Sequence, residues 1–151
     1  MKKLIAQGLL ATTIVLGASG AALAGDENSC TLNTLHGRYV FSARGFTIVG
    51  DAAQPIASLH VMDFDGDGRV STPRATISVN GQIFQVSPGA DGTYAIDDGC
   101  LGAIQFVDIG VTLDIAASPR GNEIWMIQTN QGTVFEGTAT RTLRANDNDR
   151  E

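Results

Sequence analysis

An all-β domain, folded as an antiparallel up-and-down barrel of about eight strands and tied by one disulfide, is the fold that this 151-residue sequence predicts. Three observations predict it. From Tyr39 onward, apolar residues recur with a period of two and no stretch sustains a helical period. Gly, Asn and Asp interrupt that pattern at short intervals, in the pairs that tight hairpins require. The only two cysteines, Cys30 and Cys100, stand in a chain whose opening reads as an export signal, and an even pair closes in an oxidising compartment.

Taken in order, the chain begins Met1-Lys2-Lys3, runs apolar from Leu4 to Gly17, and ends a small-residue segment at Ala22-Leu23-Ala24. A cationic start, an apolar middle and an A-x-A exit predict a signal peptide over 1–24, cleaved on export to the periplasm or the medium. Gln7, Gly8, Thr12 and Thr13 interrupt the apolar run. It falls short of the roughly 20 residues a spanning helix needs, so no membrane anchor is expected after cleavage.

Removing 24 of the 151 residues leaves 127, the size of one domain with its own core. The cut also removes the only lysines, so eight arginines face sixteen acids and the net charge becomes −8. An acidic surface without a basic cluster repels phosphates, which excludes nucleic acid as a partner.

Residues 25–35 read as an extended lead-in held by Cys30. Strands are expected at about 38–49, 56–65, 69–79, 82–87, 93–97, 101–108, 111–117, 123–129 and 133–143, two neighbours among them forming one bent strand. Val111, Leu113, Ile115 and Ala117 alternate with Thr112, Asp114 and Ala116, so one face is buried and the other is wetter. Hairpins are expected at Asp65-Gly66-Asp67-Gly68, Asn80-Gly81, Asp91-Gly92, Asp97-Asp98-Gly99, Ser118-Pro119-Arg120-Gly121-Asn122 and Asn130-Gln131-Gly132. Consecutive hairpins favour a meander, and closing it removes exposed edges. The barrel domain is expected over 25–143, with a flexible charged tail at 144–151. A bridge enclosing about 70 residues restricts the unfolded chain by roughly 4 kcal/mol, and the wide spacing lacks the C-x-x-C of a redox pair.

The segments Leu35-His36-Gly37-Arg38-Tyr39-Val40-Phe41, Phe64-Asp65-Gly66-Asp67-Gly68, Gly92-Thr93-Tyr94 and Cys100-Leu101-Gly102 resemble small exported bacterial β-barrel proteins of unknown function. These are similar in architecture to the allene oxide cyclase-like and lipocalin-like barrels. The lipocalin resemblance implies that Gly37-Arg38-Tyr39 and Arg141 take the places of an aromatic at the barrel floor and a covering arginine, with Tyr in place of Trp. The cyclase resemblance implies a hydrophobic cavity for a lipid or polyketide, but none of that family's catalytic residues matches a position in this chain.

Asp63, Asp65 and Asp67, with Gly68 following, have the spacing of a calcium loop, but Arg74 stands where the closing Glu belongs. The same residues are what a tight hairpin demands, and that is the reading adopted; a weak calcium site is the alternative. His36 and His60 are too few and too far apart for a zinc site. His60 alternates with Met62 and Phe64, whereas Asp63 and Asp65 fall on the opposite face, which disfavours a His–Asp acid/base pair. Tyr39, Phe41, His60, Met62, Phe64, Trp125, Met126 and Phe135 are the candidate lining of a ligand cavity, joined by Phe84, Tyr94 and Phe106; ordinary core is the competing reading. Ala43, Gly45, Gly137 and Ala139 leave room on the first and last strands for large neighbours or a ligand. Trp125 lies between Ile124 and Met126 in a strand apolar on both faces, so a second layer or a partner subunit is expected over one of them.

The sequence contains no G-x-S-x-G, H-E-x-x-H or G-x-x-x-x-G-K, and nothing calls for a cofactor or a resident metal. The expected function is therefore an exported non-catalytic barrel binding a small hydrophobic ligand or a partner protein, with a homo-oligomer open. A cyclase-like enzyme and a purely structural protein are the alternatives.

Overall fold

The computed structural model describes residues 28–143; the expected signal segment at 1–24 and the tail at 144–151 lie outside them. Nine strands occur among the described residues: β1 His36–Val49, β2 Ala52–Asp65, β3 Arg69–Val79, β4 Gln82–Val86, β5 Asp91–Ile96, β6 Leu101–Phe106, β7 Val111–Ala117, β8 Glu123–Gln128 and β9 Thr133–Leu143. Short 3₁₀ turns lie at Leu32–Thr34 and Val107–Ile109.

Hydrogen bonding runs β2-β1-β9-β8-β7-β6-β5-β3, and a β2–β3 pairing closes this ring of eight antiparallel strands. The ninth strand, β4, bonds to β3 alone. β3 pairs with β4 through Ala75–Val79 and with β5 through 69–71, so the two are separate strands beside β3, and the ninth strand is an extra one outside the ring where the sequence reading expected two neighbours to form one bent strand. Asn80 and Gly81 both have positive φ, 48° and 83°, as the two-residue hairpin between β3 and β4 requires. Strand β2 starts at Ala52, upstream of the expected 56. Pro55 is tolerated because its carbonyl accepts from the Asn80 N–H; its missing donor thus faces a turn.

The strands differ in length, and this shapes the molecule. β1 and β2 have 14 residues each, whereas β5, β6 and β8 have six. At about 3.3 Å per residue, the first wall stands about twice as tall as the opposite one. The excess projects beyond the barrel at the end holding the β1–β2 and β3–β4 turns.

The other end is plugged. Leu35 is fully buried beneath the lead-in, the Tyr94 hydroxyl donates to the carbonyls of Leu32 and Leu35 at 2.8 and 3.0 Å, and Cys30 is disulfide-bonded to Cys100. Inward side chains follow the expected parity: Tyr39, Phe41, Met62, Phe64, Tyr94, Ile104, Phe106, Leu113, Ile115, Ile124, Met126, Phe135 and Ala139 form one buried cluster. Edge-to-face contacts chain Tyr39 to Phe64 and Phe64 to Tyr94, each at 5.1 Å between ring centroids.

Two of the small residues do not make the room expected of them. A Cβ on Gly45 would run into the Val134 carbonyl, and one on Gly137 into the Ser42 carbonyl and the Ala43 side chain. Gly102 meets the Ala95 carbonyl in the same way. Glycine at these positions lets neighbouring backbones approach at the tight bends that close a small barrel, so the space is taken by main chain.

Candidate functional site

Most of the residues singled out as cavity lining occupy the filled half of the barrel. Tyr39, Phe41, Met62, Phe64, Met126 and Phe135 belong to the packed cluster, which reaches from the plugged end up to Phe135, opposite Gly45 and level with Ile56. Trp125 is placed differently: Met126 and Ile124 point inward, so Trp125 is on the outer wall and 47 % exposed, on the same wall as the exposed Leu59, Leu101 and Ile127. In a strand apolar on both faces, the sequence does not say which face turns inward; pairing of Met126 with Gly137 and of Ile115 with Met126 decides it.

At the floor, the Tyr39 hydroxyl donates to the Gly121 carbonyl at 2.6 Å and accepts from Arg141 Nε and Nη2 at 2.9 and 2.6 Å. The guanidinium lies 5.2 Å from the Tyr39 ring centroid, and its Nη2 also donates to the Thr34 carbonyl at 2.6 Å. These contacts lock the lead-in, β1, the β7–β8 turn and β9 together.

Toward the tall end the lining changes character. The inner face of β2 presents Ile56, Ser58 and His60 in succession. Ser58 lies between Ala43 of β1 and Ile77 of β3, and His60 between Phe41 and Ala75. None of those four neighbours has a hydrogen-bonding side chain. Accordingly Ser58 Oγ and His60 Nε2 are both buried without a partner, Ser58 being only 8 % exposed. The His60 ring makes an edge contact with Phe41 at 5.6 Å. Burial pushes the imidazole below the ordinary histidine value, so it is neutral at neutral pH. Buried polar groups normally find partners, so two adjacent exceptions on one inner face stand out from the rest of the lining.

Above that pair, Ile56 and Phe135 still pack into the core, but the inward-facing residues of β4 are open to solvent. Phe84 and Val86 share the inner face with Ile77 and Ala75 by register, yet they are 49 % and 38 % exposed. The short wall stops below them, leaving an apolar mouth with the polar pair beneath.

Ser58 Oγ and His60 Nε2 make no hydrogen bond to each other, so no base activates the hydroxyl. No carboxylate orients the histidine: Asp63 is on the outer wall, where Arg38 donates to it at 2.7 and 2.8 Å. In the β2–β3 turn, Asp65 Oδ1 accepts from the N–H groups of Asp67 and Arg69 at 2.8 and 2.9 Å. These backbone bonds hold its carboxyl below the usual range. Among the described residues no three His, Cys, Asp or Glu side chains converge on a metal position. The orphaned pair was not legible as such in the sequence. The only signal was Ser58 and His60 sharing a parity with Ile56 and Met62 in a strand predicted to face the core.

No family model, curated protein or solved structure matches the chain. The small closed barrel expected from the resemblance is present, and the comparisons assign it to no family.

Proposed function

We propose that this barrel is a non-catalytic binding protein that takes a small, largely apolar and uncharged molecule at its tall end. The reading rests on the two orphaned polar atoms, Ser58 Oγ and His60 Nε2, beneath an apolar mouth. A serine hydroxyl donates and accepts, and a neutral imidazole does one at each nitrogen, so the pair suits a hydroxyl, carbonyl or amide. A charged headgroup would be buried with no counter-charge among the surrounding Phe41, Ala43, Ala75 and Ile77, which disfavours it strongly. In this reading the architecture serves as it does in lipocalin-like barrels, with the floor filled and the mouth open.

Native mass spectrometry of protein from its own source tests the proposal. A co-purifying neutral apolar molecule, lost in His60→Leu but retained in Trp125→Ser, supports it. Absence of any bound mass, together with a fluorescent fatty-alcohol probe that binds His60→Leu and wild type equally, refutes it. Turnover of a polyene substrate that disappears on changing His60 would instead place the barrel with cyclase-like enzymes.

A further inference from the structure

The barrel is closed except along one strand. β6 ends at Phe106, and the chain then turns through Val107–Ile109 and Gly110 instead of continuing beside β4. Strand β4 therefore bonds to β3 on one side and to no strand of the described residues on the other. All five of its residues, Gln82-Ile83-Phe84-Gln85-Val86, are exposed, with Ile83 at 63 %. An open edge of this kind is normally guarded by a charge, a proline or a bulge. Here it carries none, and the sequence from 75 to 90 contains no Asp, Glu, Lys or Arg. The adjoining segments 45–50 and 52–62 are likewise free of those four residue types. In a chain of net charge −6, the edge strand itself is thus free of charge, with acids beyond it at Asp51 in the β1–β2 turn and Asp108 in the turn after β6.

We propose that β4 is the docking edge for a second copy of this chain, two barrels joining by antiparallel β4–β4 pairing. The strand is self-complementary. With Phe84 on the two-fold axis, Ile83 faces the partner's Gln85 and Gln82 faces the partner's Val86, so no charge meets a like charge. On the inner face Phe84 then packs against the partner's Phe84 and Val86 against the partner's Gln82, and the edge N–H and C=O groups gain partners. Isologous pairing uses each edge once and closes at a dimer. A five-residue edge is small for a stable interface, so association is weak and concentration-dependent. This dimer is independent of the ligand reading, since it needs neither Ser58 nor His60.

Sedimentation velocity of the disulfide-closed protein over a wide concentration range tests it. The expected result is a reversible monomer–dimer equilibrium that strengthens with added salt, because salt screens the net negative charge and no ion pair crosses the edge. Phe84→Lys places two cations on the two-fold axis and should weaken the dimer at least about tenfold, whereas mixing Phe84→Lys with Phe84→Glu should restore a heterodimer. Hydrogen exchange on the unmodified chain gives a readout that needs no variant: amides of residues 82–86 should gain protection as concentration rises. A monomer at every concentration, a dimer indifferent to Phe84→Lys, or exchange at 82–86 independent of concentration overturns the proposal.

Discussion

Replacing Tyr39 by Phe removes one oxygen atom from the barrel floor and tests how that end is held. The ring is fully buried and its edge contact with Phe64, at 5.1 Å, survives the change, so no apolar packing is lost. Two interactions go. The Gly121 carbonyl loses a buried donor at 2.6 Å, and leaving such an acceptor unsatisfied costs about 1–3 kcal/mol. Arg141 loses its acceptor at 2.6 and 2.9 Å, but it keeps the Thr34 carbonyl and some water, so that loss is nearer about 1 kcal/mol. The total of about 2–4 kcal/mol should lower the urea midpoint by about 1–2 M at unchanged slope. Arg141→Met leaves the Tyr39–Gly121 bond in place and should cost less. The double variant should fall short of the sum of the singles by about 1 kcal/mol, because the two side chains share one contact. Tyr39→Phe within about 0.5 kcal/mol of wild type, or strict additivity in the cycle, would refute the account of the floor.

Removing the disulfide by Cys30→Ala with Cys100→Ala frees a loop spanning a separation of 70 residues and should lower unfolding free energy by roughly 4 kcal/mol, read by urea denaturation. Gly137→Ala drives a methyl group against the Ser42 carbonyl and should destabilise by about 1–3 kcal/mol or more, whereas Gly132→Ala, with open space around it, should suffer only from its positive φ. Calcium at millimolar concentration should not raise the melting temperature relative to chelator, since Asp65 is already engaged with backbone and Asp63 with Arg38; an upward shift abolished by Asp65→Ala would reverse that reading. Burial, with the nearby negative charges of Asp65 and Asp67 adding to it, pushes the Tyr94 hydroxyl pKa up to about 12 from 10. The folded state therefore binds this proton more tightly, and the resulting stability is fully present below pH 10 and lost as pH rises toward 12. A tyrosinate absorbance titration should show Tyr94→Phe abolishing that alkaline component.

Local patterning made much of this molecule readable in advance. Alternation in 111–117 correctly placed Leu113, Ile115 and Ala117 inward, and Asn80-Gly81 marked its hairpin because few other pairs adopt positive φ twice. The candidate site was less legible. The strand holding Ser58 and His60 announced its buried face through Met62 and Phe64, but their lack of partners depends on Ala43, Ala75 and Ile77 arriving from β1 and β3. Trp125 was ambiguous for a related reason: both faces of β8 are apolar, so period two carries no sign there.

What the sequence by itself determined was the set of strands, most of their turns, the inward parity of most strands and the pairing of its only two cysteines. Each of these depends on neighbours within a few residues, or on there being no alternative partner. Asp91-Gly92, expected as a hairpin, instead opens β5 and pairs with Ser71 and Val70. The tertiary structure alone decided how the ring closes, that β4 is left outside it, and which side of β8 meets solvent. It also decided that Gly45 and Gly137 are bends and not spaces. Those outcomes depend on strand lengths and curvature acting together: a 14-residue wall facing a six-residue wall must leave one edge unpaired and one mouth open, and no local window contains both walls.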